Sequence, residues 1–175
     1  MTFNKDIPVS EESSGESAEI AGKYLTFGLA SEEYGLEILK VQEIIGMINV
    51  TRVPGTPDFV RGVINLRGKV IPVVELRLKF GMEAKEDTER TCIIVLEINR
   101  NGSHVTTGVI VDEVSEVINI SADQIEPPPD FGTSVDTDFI LGMGKTGQKM
   151  VIMIDADKVL SGGEIILVDE VVKQA

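Results

Sequence analysis

Four of the chain's aspartates fall in two close pairs. "VDTD" (135–138) and "DAD" (155–157) each set two carboxylates two residues apart. In a strand that spacing puts both on one face, which would suit calcium binding or acid–base chemistry. A solvated loop for the first pair and a helix N-cap for the second account for the same residues without a ligand, and that is the expectation. The only histidine is His104, and the only cysteine, Cys92, lies inside "TCIIVLEI". With no second His or Cys at ligand spacing, zinc is not supported. Nothing basic closely flanks Cys92 to activate it, so it reads as a buried thiol. "GMGKTG" (142–147) has the glycines and lysine of a phosphate loop but not their order, and it reads as the joint of two strands. "GVINLRG" (62–68) fails as a dinucleotide fingerprint for the same reason. No nucleophile–base pair emerges, so these residues form no catalytic set and call for no metal or cofactor.

What remains is chemistry of contact. "GVINLRGKVIPVVEL" (62–76) is two apolar runs joined by an Arg67-Gly68 turn. A planar guanidinium at such a tip can hold a carboxylate or backbone carbonyls with two hydrogen bonds. It suits an interface anchor, and an ion pair to a nearby Glu within the chain would serve equally well. "VQEIIG" sets Val41, Ile44 and Ile45 around Glu43. If this run is a single helical turn, all three cannot face one small core. One or two are then exposed, and apolar residues ringed by charge suit docking.

The elements that must hold these residues are short. The chain has 175 residues, 42% of them hydrophobic and 26% charged, which fits a soluble globular unit. Its net charge of −13 disfavours a nucleic-acid backbone or an anionic membrane surface as partner. No apolar run approaches the ~20 residues that span a bilayer, and the first residues lack the apolar stretch of a secretory signal. Residues 1–19 read as a disordered acidic tail, 20–162 as the folded domain, and 163–175 as a C-terminal helix or tail. Within the domain, "KYLTFGL" and "YGLEIL" read as paired strands, "TCIIVLEI" and "SHVTTGVIVDEV" as a hairpin across "NRNG", and "FILGMG" and "KMVIMID" as the last hairpin. "LRLKF" reads as one amphipathic turn, and 118–138 as a long loop.

The halves of the chain match. At an offset of 73, Gly35 meets Gly108, Val41 meets Val114, Glu43 meets Glu116 and Ile45 meets Ile118. At an offset of 80, Phe59 meets Phe139, Gly62 meets Gly142 and Glu75 meets Asp155. One insertion in the intervening loop explains the change of offset. A unit of short strands used twice predicts a mostly β fold of two small five-stranded SH3-like or Greek-key barrels about a pseudo-two-fold axis, with short helices. The barrels are expected at roughly 20–85 and 86–162, with strand exchange left open.

"EEYGLEILKVQEII", "TRVPGTPDFVRGVINLRGKVIPVVELRLKFG" and "TGVIVDEVSEVINI" resemble the CheW chemotaxis coupling proteins, in order, from about residue 23 to 160. The resemblance implies two five-stranded barrels, no enzymatic activity and no cofactor. It implies a cytoplasmic adaptor, recruited to membrane-associated arrays, that joins the tip of methyl-accepting chemoreceptors to the regulatory domain of the CheA histidine kinase. It places Val41, Gly62, Arg67, Gly108, Val114 and Val117 at or near a receptor groove, and Glu43 and Ile44 toward the kinase. Two expectations follow. Gly62 has a backbone conformation or contact that a side chain would obstruct. Glu43 and Arg67 serve different surfaces. A small-ligand or enzymatic barrel sharing the fold is the other reading left open.

Overall fold

The computed structural model describes residues 17–129 and 138–160. A helical turn over 17–20 opens the fold, with Ala21 N–H donating to Ser17 O at 2.9 Å. Eleven strands follow: β1 (Gly22–Leu29), β2 (Glu32–Glu37), β3 (Val41–Gly46), β4 (Val60–Leu66), β5 (Lys69–Glu75), β6 (Cys92–Arg100), β7 (Ser103–Val111), β8 (Glu113–Ile120), β9 (Ile125–Glu126), β10 (Ile140–Thr146) and β11 (Lys149–Ile154). The turn Leu76–Lys79 follows β5 as Ala156–Val159 follows β11. The fold is mostly β, as expected.

Two sheets form, in the orders β8-β1-β2-β11-β10-β9 and β3-β6-β7-β5-β4. The second is one continuous stretch, residues 41–111. The first is split, and takes β1 and β2 from the start of the chain and β8–β11 from its end. The division between the sheets therefore does not fall near residue 85. The chain crosses between them twice, at the 3₁₀ turn Ile38–Lys40 and at Asp112.

Each sheet closes on itself. In the contiguous unit the edges are β3 and β4. The chain runs on from β3 to Thr51, which exchanges two hydrogen bonds of 2.8 Å with Val63 of β4. In the split unit β8 leads through the turn Ala122–Gln124 to β9, which pairs with β10. Ile45 from one edge and Ile64 from the other meet in a single cluster with Ile71, Val73, Ile93 and Val95. Tyr24, Ile120, Ile125, Val151 and Met153 fill the other barrel. A third, larger core lies between the barrels and includes Leu25, Phe27, Leu36, Ile94, Leu96, Val109 and Val111. "CIIVL" is apolar without alternation because Ile93 and Val95 face the barrel interior while Ile94 and Leu96 face the other barrel. A chain of aromatic contacts bridges the units: Phe27–Tyr34 stacked at 5.8 Å, Tyr34–Phe80 tilted at 5.7 Å and Phe80–Phe139 stacked at 5.0 Å.

The matched segments fall in like elements. Glu75 N–H donates to Phe59 O at 2.7 Å, and eighty residues on Asp155 N–H donates to Phe139 O at 2.8 Å. The β4–β5 ladder slips between Val60 and Gly62, and the β10–β11 ladder between Ile140 and Gly142. A Cβ on Gly62, whose φ is +147°, would lie 2.1 Å from Thr51 O, so the closing segment crosses where only glycine fits. A Cβ on Gly142 would meet Ile125 Cγ2 at 2.9 Å, at the same crossing in the split barrel.

Three expectations are corrected. "VQEIIG" is strand β3, and only Ile38–Lys40 before it is helical. Within the supposed loop 118–138 lie the end of β8, a 3₁₀ turn and β9. The helical turn over 17–20 begins inside the expected tail. Residues 1–16, 161–175 and most of "VDTD" lie outside the described residues.

Candidate docking surfaces

The tip of the β4–β5 hairpin is a two-residue turn with φ of +52° at Arg67 and +85° at Gly68, the conformation that matches strand twist in tight hairpins. Asn65 Oδ1 accepts from Gly68 N–H at 2.8 Å and pins it. From this tip the Arg67 guanidinium reaches the Glu43 carboxylate. Nη1 donates to Oε1 at 3.2 Å, and Nη2 bonds Oε2. The assignment of the two residues to different surfaces is therefore overturned. β3 and β4 are the two edges of one sheet, so the pair ties the seam of the contiguous barrel. Arg67 is 69% exposed, so the pair faces solvent.

Val41 and Ile44 lie three apart, which in an even strand would put them on opposite faces. A register shift between Val41 and Glu43 puts them on one face instead. Val41 opposes Leu96 and Ile44 opposes Ile94, both members of the core between the barrels. Val41 packs against that core, while Ile44 continues it into solvent at 44% exposure. β8 repeats the arrangement. Val114 opposes Phe27 and packs on the same core, and Val117 opposes Leu25 and is 50% exposed. Ile44 and Val117 are repeat mates at the offset of 73. The fold thus offers two related apolar ribbons, each running from the inter-barrel core to an open strand edge.

Gly62 and Gly108 are buried. A Cβ on Gly108 would come within 2.8 Å of Ile93 Cγ2. Neither glycine offers a surface to a partner, and both shape the barrels instead.

Four exposed apolar residues escaped the sequence reading, Ile48 among them. Val70 and Met150 are 45% and 46% exposed and are repeat mates at the offset of 80. "KVIPVV" and "KMVIMI" carry too few polar residues to mark which side faces out. Leu39 is 94% exposed, and lay hidden in a run read as strand.

The two crossings between barrels are each held by an ion pair. Lys40 Nζ bonds Asp157 Oδ2 at 2.8 Å, and Arg77 holds Asp112 through Nε and Nη2 at 2.7 Å each. Each joins a crossing to the helical turn after a hairpin, with the charges reversed. "DAD" is used structurally: Asp155 caps its turn by accepting from Lys158 N–H at 3.2 Å, and Asp157 Oδ1 also accepts from Asn99 N–H at 2.8 Å. "GMGKTG" lies within β10 and the turn to β11. His104 is exposed, with Nδ1 3.9 Å from a Glu97 oxygen. Burial raises the Cys92 thiol above its ordinary pKa, which disfavours the reactive thiolate. A cleft of about 460 Å³ lined by Ser31, Glu32, Lys85, Arg90, Asp112 and Glu113 mixes both charges and aligns no nucleophile with a base. Among the described residues, no group of three or more His, Cys, Asp or Glu is placed to hold a metal ion. No helix there is long and apolar enough to cross a membrane.

The CheW-like domain family matches residues 23–164. The chain belongs to the CheW-like family. It is 43% identical to chemotaxis protein CheW of Klebsiella aerogenes over 154 residues, 88% of this chain and 90% of that protein. Against chemotaxis protein CheW of Helicobacter pylori the identity is 34%, over 90% and 93% of the two chains. Among solved structures it is similar to the scaffolding protein TtCheW of Thermoanaerobacter tengcongensis, with 41% identity, a TM-score of 0.72, and 83% and 96% of the two chains covered. The CheW family consists of chemotaxis scaffolds, not catalysts, and the barrels described above are its fold.

Proposed function

We propose that this chain is the adaptor that couples methyl-accepting chemoreceptors to the regulatory domain of the CheA kinase, and that it is held in the cytoplasm at receptor arrays by those contacts. Membership of the CheW-like family supports the reading. The observation that carries it is the pair of apolar ribbons, Val41–Ile44 and Val114–Val117, on repeat-related strand edges. A coupling protein needs more than one docking face, and apolar centres with polar rims are what such faces use. Ile44 is assigned to the kinase. Val41, Val114 and Val117 are assigned to the receptor side, and the bonded Glu43–Arg67 pair, being one unit, is assigned to neither face alone. Gly62 and Gly108 support both by shaping the barrels.

The test is reconstitution from purified parts. The chain should bind a receptor signalling fragment and the kinase regulatory domain, and should alter ATP turnover only when kinase and receptor are both present. Binding to neither partner, or phosphorylation of the chain by ATP alone, would overturn the reading.

A further inference from the structure

Leu39 presents 94% of its surface to solvent and helps line a mostly apolar groove of about 290 Å³ with Ile20, Ala21, Tyr24 and Ile38, flanked by Lys23 and Glu37. An isolated exposed leucine needs no explanation; one that completes a groove does. The last described helical turn is tied to the chain next to it. Asp157 is bonded to Lys40, the neighbour of Leu39, and Leu160 is fixed where its carbonyl accepts from Arg100 Nη2 at 2.6 Å. Fifteen residues follow Leu160. After "SGGE" they contain Ile165, Ile166, Leu167 and Val168 in succession, a run that needs an apolar partner. Five residues from Leu160 reach about 17 Å, so the run is confined to the neighbourhood of the chain's last described residues. Tethering makes the chain's own segment the most concentrated ligand available, at an effective level on the order of millimolar.

We propose that the groove at Leu39 is the docking site of the chain's own C-terminal apolar run, residues 165–168. The docked run would cover Leu39 and join the 3₁₀ crossing at Ile38–Lys40 to the end of the chain.

Disulfide trapping in the full-length chain tests this, with Cys92→Ser as background. Leu39→Cys combined with Ile166→Cys should form an intramolecular disulfide at least about tenfold faster than Val70→Cys combined with Ile166→Cys, since Val70 is also exposed but lies in the other barrel. Leu39→Asp, at a site too exposed to affect folding, should raise amide hydrogen exchange at 165–168 and leave β6 protected. Equal trapping rates for the two pairs, a disulfide formed only between two chains, or exchange at 165–168 unchanged by Leu39→Asp would each overturn the proposal.

Discussion

Arg77 grips Asp112 with two hydrogen bonds of 2.7 Å at the residue where the chain leaves one barrel for the other. Both side chains are only 17% exposed, so this pair has less water to compete with than the Arg67–Glu43 pair. Burial pushes the Asp112 carboxyl up. The Arg77 hydrogen bonds, the Ala30 N–H and the Arg77 charge outweigh it and hold the group below its ordinary value of 3.8. A folded-state pKa below the unfolded one gives stability that is complete above that range and is lost as pH falls through the lowered value. Asp112→Asn should lower stability by about 2–3 kcal/mol at neutral pH. The difference from the parent should shrink below about pH 4. Urea titrations at neutral and acid pH check both.

The exposed seam pair behaves differently. Glu43→Ala and Arg67→Ala should each change stability by no more than about 1 kcal/mol. Because the two groups hold one another, each variant should disturb receptor and kinase binding in parallel. The charge-swapped double variant, Glu43→Arg with Arg67→Glu, should recover part of the loss. Titrations of all three against both partners show whether the losses run in parallel and whether the swap restores them.

Glycine substitutions should rank by what their Cβ meets. Gly62→Ala drives a methyl into Thr51 O at a φ of +147° and should destabilise by about 2–4 kcal/mol, lowering the melting temperature by roughly 5–15 °C. Gly142→Ala meets the Ile125 side chain at 2.9 Å without that φ, and should do less. Gly68→Ala, with φ +85° and open space around it, should cost about 1 kcal/mol. Thermal melts of the three variants establish the order.

Ile44→Asp and Val117→Asp replace exposed residues and should leave the melting temperature close to the parent's. Each should weaken its own partner by about 10- to 100-fold, with Ile44 acting on the kinase domain and Val117 on the receptor fragment. Loss of both partners in either variant would merge the two faces into one.

The repeat was legible because its marks are geometric necessities. Gly62 and Gly142 recur where a closing segment crosses β4 or β10, and Phe59 and Phe139 where a carbonyl receives the end of β5 or β11. The family motifs fell on these same turns and strands. Which strands share a sheet was not legible, because matching segments says what is alike and not what is adjacent. The parallel pairings of β2 with β11 and β5 with β7 join elements far apart in the chain. β3 was read as a helical turn because its register shift moves Val41 and Ile44 to one face at a spacing of three, imitating a helix. The partner of Arg67 was left undecided because Glu43 comes beside it only once the sheet has closed.

The insertion of one barrel within the sequence of the other also orders events during synthesis. The unit spanning 41–111 has every strand available once residue 111 has left the ribosome. β1 and β2 emerge first but gain their neighbours β8 and β11 last. Until then Phe27, Leu29 and Leu36, each at most 1% exposed in the finished fold, have only the inserted barrel to cover them. β1 and β2, made before the inserted barrel, therefore finish folding after it, with that barrel as their template.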